Sequence, residues 1–214
     1  MIKVENIDVW GFEHAVRGAR NPMNSWDKSD SYYEKGVDPF SLEEWRATEI
    51  TIGDNDMDLL KRLYNAGVEH RTYGRMIQVW MDITAPLYLW KELDRYTVGK
   101  SQVSTSTMHK IHAKEFTLDD FSTEHLTQHS LNTLQECINT MNFYRNRYLE
   151  TKDKNDWWQM IQLLPSSYNQ KRTINMTYEV VFKIIKERTG HKLDEWNEFV
   201  EILKDLPYVK EIIK

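Results

Sequence analysis

Two stretches of this chain combine hydroxyl groups with basic side chains and carry very few apolar residues. Thr97 to Thr107 holds Thr97, Gly99, Lys100, Ser101, Gln102, Ser104, Thr105, Ser106 and Thr107. Ser166 to Asn175, SSYNQKRTIN, holds Lys171 and Arg172. Exposed N–H groups, hydroxyls and a nearby cation are the equipment that captures a phosphate or carboxylate. If folding brings the two stretches together, one anionic ligand bridges them through charge-assisted hydrogen bonds. The plain alternative is a pair of solvated connections.

Other side chains offer weaker chemistry. His109-x-x-His112 and His125-x-x-x-His129 hold four of the seven histidines, and the second pair is spaced one helical turn apart, a workable ligand spacing. No Cys lies near either pair, so surface or capping histidines explain the pattern and no metal site is expected. Cys137 sits in an apolar helical face and reads as a small buried hydrophobe rather than a nucleophile. Glu69, Asp82, Glu92 and Asp94 are candidates for an acid/base pair, but carboxylates near a strand end carry little specificity. No serine occupies a nucleophile elbow, and there is neither a glycine-rich phosphate loop nor a dinucleotide fingerprint. No catalytic residue is therefore assigned. In RNPMNSWDKSDS, residues 20–31, Arg20, Asn24, Ser25 and Asp27, with Arg17 before them, can meet a ligand; turn-making and helix capping account for them as well.

The elements that must carry these residues follow from periodicity. Ile2 to Val9 alternates as a strand. Phe12 to Arg20 reads as a helix ended by Asn21-Pro22. Residues 32–50 read as an inserted stretch punctuated by Gly36 and Pro39. Asn55-Asp56 caps a helix to Ala66, with Met57, Leu60, Leu63 and Tyr64 on one face and Gly67 as the stop. Met76 to Thr84 is a strand apolar on both faces. Ala85 to Tyr96 winds into an aromatic helix after Pro86, and the polar stretch 97–107 then reads as a loop. Met108 to Phe116 is an extended segment or a helix start, and Thr117 to Asp120 a capping turn. Helices are expected at Thr123 to Tyr148, Trp157 to Leu164, Met176 to Arg188 and Leu193 to Leu206. Lys152 to Asp156 breaks the first two, and Ser166 to Asn175 is a second polar loop.

The length of 214 residues suits one domain, and no repeat or Pro/Gly-rich linker divides it. A formal charge of -5 leaves no basic footprint for nucleic acid. A lone cysteine fits a reducing compartment. No apolar run reaches the length of a membrane span and no secretion signal is visible, which leads to the expectation of a soluble cytoplasmic protein. Eight Trp and eleven Tyr are many for this length, enough for a core, a planar-ligand pocket or a subunit interface, and the count does not choose between these.

The order of segments resembles the flavin-dependent thymidylate synthase family. That family carries a histidine after a helix, a strand ending in Pro, an aromatic helix, and then R-H-R-x-x-S-x-N-E-x-S-x-R-Y. Later come a Leu-Pro, an aromatic and basic loop, an Asn, and a helix ending in Leu-Arg. This chain has His70, Ala85-Pro86, LYLWKELDRYTVGKSQVSTST (87–107), Leu164-Pro165, Tyr168, Arg172, Asn175 and Arg188 in the same order. The resemblance spans roughly residues 50–200. It extends to divergent phage and prophage proteins that carry the synthase name, in which case the compartment would be the host cytoplasm. Departures concentrate in the long motif. Arg-His-Arg falls at Asp94-Arg95-Tyr96, Asn-Glu at Ser101-Gln102, the second Ser at Ser104, and the closing Arg-Tyr at Ser106-Thr107.

The resemblance implies an α/β (α+β) fold, a twisted and largely antiparallel sheet flanked by helices. It also implies a homotetramer with ligand sites between subunits. The family's reaction is reductive methylation of dUMP, with hydride from reduced FAD and carbon from methylene-tetrahydrofolate. Carried over, His70, Arg95, Gln102 and Asn175 face flavin, while Ser104, Arg172 and Arg188 face the nucleotide. Each also has a structural reading: Asn175 as a helix cap, Arg188 as a favourable charge at a helix C-terminus, Ser104 and Gln102 as partners of loop backbone. The degraded phosphate motif raises a second expectation, an inactive homologue that binds or sequesters a nucleotide or nucleotide-derived signal. A third is an oligomer that uses exposed aromatics to hold partners.

Overall fold

The computed structural model describes residues 2–33 and 50–214; the insertion expected at 32–50 falls almost wholly outside them. Six strands and eight α-helices are present among the described residues. The strands are β1 (Lys3–Trp10), β2 (Tyr32–Tyr33), β3 (Ile50–Thr51), β4 (Gln78–Pro86), β5 (Lys100–Ser104) and β6 (Asn169–Thr177). The helices are α1 (Phe12–Arg20), α2 (Asp54–Ala66), α3 (Leu87–Leu93), α4 (Gln128–Thr151), α5 (Lys154–Leu163), α6 (Tyr178–Arg188), α7 (Asp194–Lys204) and α8 (Val209–Ile212). The main sheet has the order β1-β4-β6-β5, and β2 and β3 form a separate antiparallel pair. This mixture of helices with an antiparallel sheet is the architecture the sequence leads one to expect. No described helix is long and apolar enough to cross a membrane.

Two compact units emerge from the contacts. One comprises Met1–Val4, Ile83–Arg95 and Val103–Thr173; the other comprises Glu5–Asp82, Tyr96–Gln102 and Ile174–Lys214. The first unit is built on α4 and α5. Leu134, Ile138 and Met141 of α4 and Met160 of α5 pack with Ile111, Phe116 and Phe121 of the preceding coil. Hydrogen bonds reinforce that docking: Asn142 of α4 exchanges a pair of bonds with the backbone of Phe116, and Arg145 donates to the carbonyl of His112. A coil whose regular structure is limited to one 3-10 turn is thus held by side chains of the long helix. The second unit packs α1, α2, α6, α7 and α8 around buried Phe12, Leu60, Tyr178, Phe182, Trp196 and Phe199.

Several element boundaries move from their expected places, and two elements change type. The helix expected from Thr123 begins at Gln128, where Thr127 caps it by accepting the Ser130 N–H. His125 therefore precedes the helix, and its pairing with His129 across one helical turn does not exist. Among the described residues no group of three or more His, Cys, Asp or Glu is placed to hold a metal ion. The two polar stretches expected as loops contain strands: β5 forms the middle of the first, and most of β6 the larger part of the second. β5 escaped the apolar pattern because it is an edge strand with Val103 as its lone apolar residue, 77% exposed. β6 is an interior strand disguised by a buried Gln170, whose amide donates to the carbonyl of Thr105.

Candidate functional site

Neighbouring positions in the sheet bring the two polar stretches together. In the first unit the Thr105 N–H donates to Lys171 O at 2.9 Å, and the Thr105 hydroxyl reaches the same carbonyl. Ser104 and Arg172 therefore lie side by side across β5 and β6. In the second unit Thr177 N–H donates to Gly99 O at 2.9 Å. Gly99 must be glycine: its φ is +79°, and a Cβ there would meet the Thr177 hydroxyl at 2.9 Å.

Beyond the ends of these strands the first unit opens into a cavity of about 380 Å³. Thr84 of β4, Thr105 and Ser106 beyond β5, and Asn169 and Lys171 of β6 supply one side. Lys110, Ile111, Lys114 and Phe116 of the coil supply another, and Tyr168, Asp119 and Asp120 complete the wall. The hydroxyl of Ser106 accepts the N–H groups of Met108 and His109, which turns the coil toward the cavity. At the far end Thr117 and Asp120 form a capping box that fixes the acidic turn. Lys114 pairs with Asp120, and that hydrogen bond holds its ammonium above the usual lysine range. Burial pushes the Tyr168 phenol up, as does the Asp120 carboxylate, so the hydroxyl stays protonated. Lys110 and Lys171 add two further ammonium groups to the lining. The lining can receive an anion through two ammonium groups and several hydroxyls, beside an aromatic ring.

Arg172, expected to meet the nucleotide, is turned away from this cavity. Its guanidinium pairs with Asp94 at 2.8 Å, donates to Gln170 at 2.9 Å and lies 4.3 Å from the Trp90 ring centroid. Trp90 is itself fixed by donating its indole N–H to Gln170 O. Asp94 stands where the resemblance places the first arginine of Arg-His-Arg. The acid that replaces one base thus neutralises another. Arg95 is exposed at the end of α3, and Ser104 is exposed on β5.

The remaining carried-over residues belong to the second unit. Arg188 donates to the Tyr96 hydroxyl and stacks over Trp196 at 4.7 Å; the Tyr96 hydroxyl in turn donates to Glu187. Asn175 donates to Val79 O across the sheet and is no helix cap; Thr177 caps α6. Gln102 accepts from Lys100. His70 is exposed in the turn after α2, where its N–H closes on Gly67 O. None of His70, Arg95, Gln102, Asn175, Ser104, Arg172 and Arg188 lines any of the four cavities described for the two units. Within each unit they do not converge. The cavity residues that the sequence passed over are Lys110, Lys114 and Thr84. The four-residue spacing of two lysines after a run of hydroxyls was the visible signal.

Two cavities of the second unit, about 350 and 530 Å³, both have Tyr33 and Ile50 in their walls. Those residues border stretch 34–49, which lies outside the described residues. In the smaller cavity Tyr33 donates to Glu13, and burial together with that carboxylate pushes the phenol up to about 12.

No family model and no curated protein sequence matches the chain. Solved structures do. Flavin-dependent thymidylate synthase ThyX from Helicobacter pylori, complexed with FAD and dUMP, matches with a TM-score of 0.66 at 16% identity, over 98% of this chain and 97% of that one. The UMP/dUMP methylase PolB from Streptomyces cacaoi, bound with 5-Br dUMP, matches with a TM-score of 0.64 at 14% identity, over 95% of this chain and 88% of that one. At such identities the likeness establishes a shared fold across essentially the whole chain.

Proposed function

We propose that this chain, built on the fold of the flavin-dependent thymidylate synthases, binds a pyrimidine nucleotide and holds it without turnover. What supports nucleotide binding is the fold together with the cavity of the first unit, where Lys110 and Lys171 flank the hydroxyls of Thr84, Thr105 and Ser106 beside Tyr168. In this reading the ammonium groups meet the phosphate, the hydroxyls hydrogen-bond phosphate or sugar, and the Tyr168 ring lies against the base. Homo-oligomerisation, with the tetramer of the resembled family as the working count, belongs to the same proposal and is checked by light scattering.

The fuller reading is reductive methylation of dUMP with reduced FAD and methylene-tetrahydrofolate. It requires a flavin cradle from His70, Arg95, Gln102 and Asn175. Asn175 is engaged with Val79 O and Gln102 with Lys100, and His70 and Arg95 are surface groups outside the cavities. One observation carries the preference for binding over turnover: none of these four residues lines the cavity proposed for the nucleotide. Purified protein is expected to be colourless, to gain no flavin absorbance on titration with FAD, and to melt higher in the presence of dUMP or UMP. Co-purifying flavin with methyl transfer to dUMP would overturn the preference. A melting temperature unmoved by any pyrimidine nucleotide would overturn nucleotide binding itself.

A further inference from the structure

On the other side of the same coil lies a second cavity of the first unit, about 410 Å³, lined by Met108, His109, His112, Tyr148, Lys152, Lys154 and Trp157. Its charge runs against that of the whole chain. The protein has 33 acidic and 28 basic residues, yet this lining contains two lysines, two imidazoles and no carboxylate. Glu150, Asp153 and Asp156 flank these residues in sequence but do not line the cavity; Asp153 accepts the Asn155 N–H to cap α5, and Asp156 is buried against Arg147 and Thr151.

The walls are preorganised. Trp157 donates its indole N–H to Met108 O at 3.0 Å, so its ring plane is fixed. Tyr148 stands edge-on to His112 at 4.9 Å between centroids. Lys152 and Lys154 lie over the rings of Tyr148 and Trp158. Lys152 adopts a left-handed conformation, φ 58°, at the position that ends α4. Glycine is the ordinary residue there because a side chain is strained in that region; a lysine keeps the strain and adds an ammonium at the cavity. The Nδ1 atom of His112 is shut off from solvent without a hydrogen-bond partner. Burial lowers its imidazole pKa, as do Lys152, Lys110 and Arg145, so the surroundings already carry the positive charge the ring declines.

We propose that this cavity binds a small phosphorylated aromatic molecule, its ring against Trp157 and Tyr148 and its phosphate between Lys152 and Lys154. The site is separate from the nucleotide cavity beside the sheet and stands or falls independently of it. Calorimetric titration of the full chain carrying Lys171→Gln, which weakens the sheet-side cavity alone, is expected to retain binding of AMP. Adding Lys152→Gly and Lys154→Gln should weaken AMP about tenfold for each lysine removed. Both lysines are exposed, and the glycine relieves the left-handed strain, so this variant should melt no lower than its parent. Inorganic phosphate and unphosphorylated adenosine should each bind more weakly than AMP. The proposal is overturned if AMP does not bind the Lys171→Gln protein or if its affinity survives both lysine replacements. It is equally overturned if inorganic phosphate binds as tightly as AMP, or if a single-stranded oligonucleotide binds more tightly than the mononucleotide.

Discussion

Replacing Asp94 with Asn should weaken the fold slightly and leave nucleotide binding unchanged. Asp94 is 42% exposed and Arg172 12%, so the pair is partly screened and its loss should cost about 1 kcal/mol. For a chain of this length that lowers the melting temperature by about 2–4 °C. Arg172→Ala removes more. The pair, the Gln170 hydrogen bond and the stack over Trp90 go together, about 3 kcal/mol in all. A double-mutant cycle in urea should return a coupling of about 1 kcal/mol between positions 94 and 172. In Asp94→Asn the guanidinium loses its carboxylate but keeps its stack over Trp90, on the face away from the cavity, so dUMP affinity measured by calorimetry should stay unchanged. A coupling indistinguishable from zero would refute the claim that Asp94 satisfies Arg172. A normal coupling with dUMP affinity raised about tenfold would refute the claim that Arg172 is turned away from the nucleotide cavity.

Two further perturbations probe the second unit. Burial alone would raise the pKa of Asp56, but hydrogen bonds from Ser31, Ser29 and Arg20, with the charge of Arg20, outweigh it and hold the carboxylate below its ordinary range. Its contribution is therefore complete above the unfolded carboxylate pKa of about 4 and is lost as pH falls through the lower folded value. The stability gap between wild type and Asp56→Asn, read from urea midpoints, should be constant from about pH 7 to 5 and close below about pH 4; a gap that persists unchanged in acid would contradict this. Gly11→Ala should lower the melting temperature by about 4–8 °C, corresponding to about 2 kcal/mol of strain, because φ is +106° and the new Cβ would lie 2.3 Å from Met76 O. Differential scanning calorimetry of that variant, with no loss seen, would show that the loop shifts freely.

Elements with strong apolar periodicity were legible at the level of residues. Phe12–Arg20 has the boundaries that its pattern predicts, and α2 starts one residue before its expected cap. The strand into Pro86 and the helix beyond it were legible because a two-faced apolar run ends at a proline. Legibility failed where burial does not select for apolar residues. β5 is polar because it is an edge, and Gln170 in β6 is buried by a hydrogen bond rather than by hydrophobicity. For the site, the meeting of the two polar stretches was readable, whereas the identity of the cation was not. Lys171 and Arg172 are adjacent in sequence, but neighbouring strand residues point to opposite faces. One lines the cavity and the other stacks on Trp90. That choice depends on register, which residue types alone do not encode.

A sheet that does not close into a barrel must end somewhere, and here one of its ends is β5. Five residues long and solvated on both sides, this strand gives a foreign β-segment little apolar surface to zip onto, and Lys100 adds charge at its start. Its far end is nevertheless tied down, since Thr105 makes two hydrogen bonds to Lys171 O and accepts one from the Gln170 amide. Because Thr105 and Ser106 follow directly from its last residue, those bonds also set where two hydroxyls stand in the adjoining cavity.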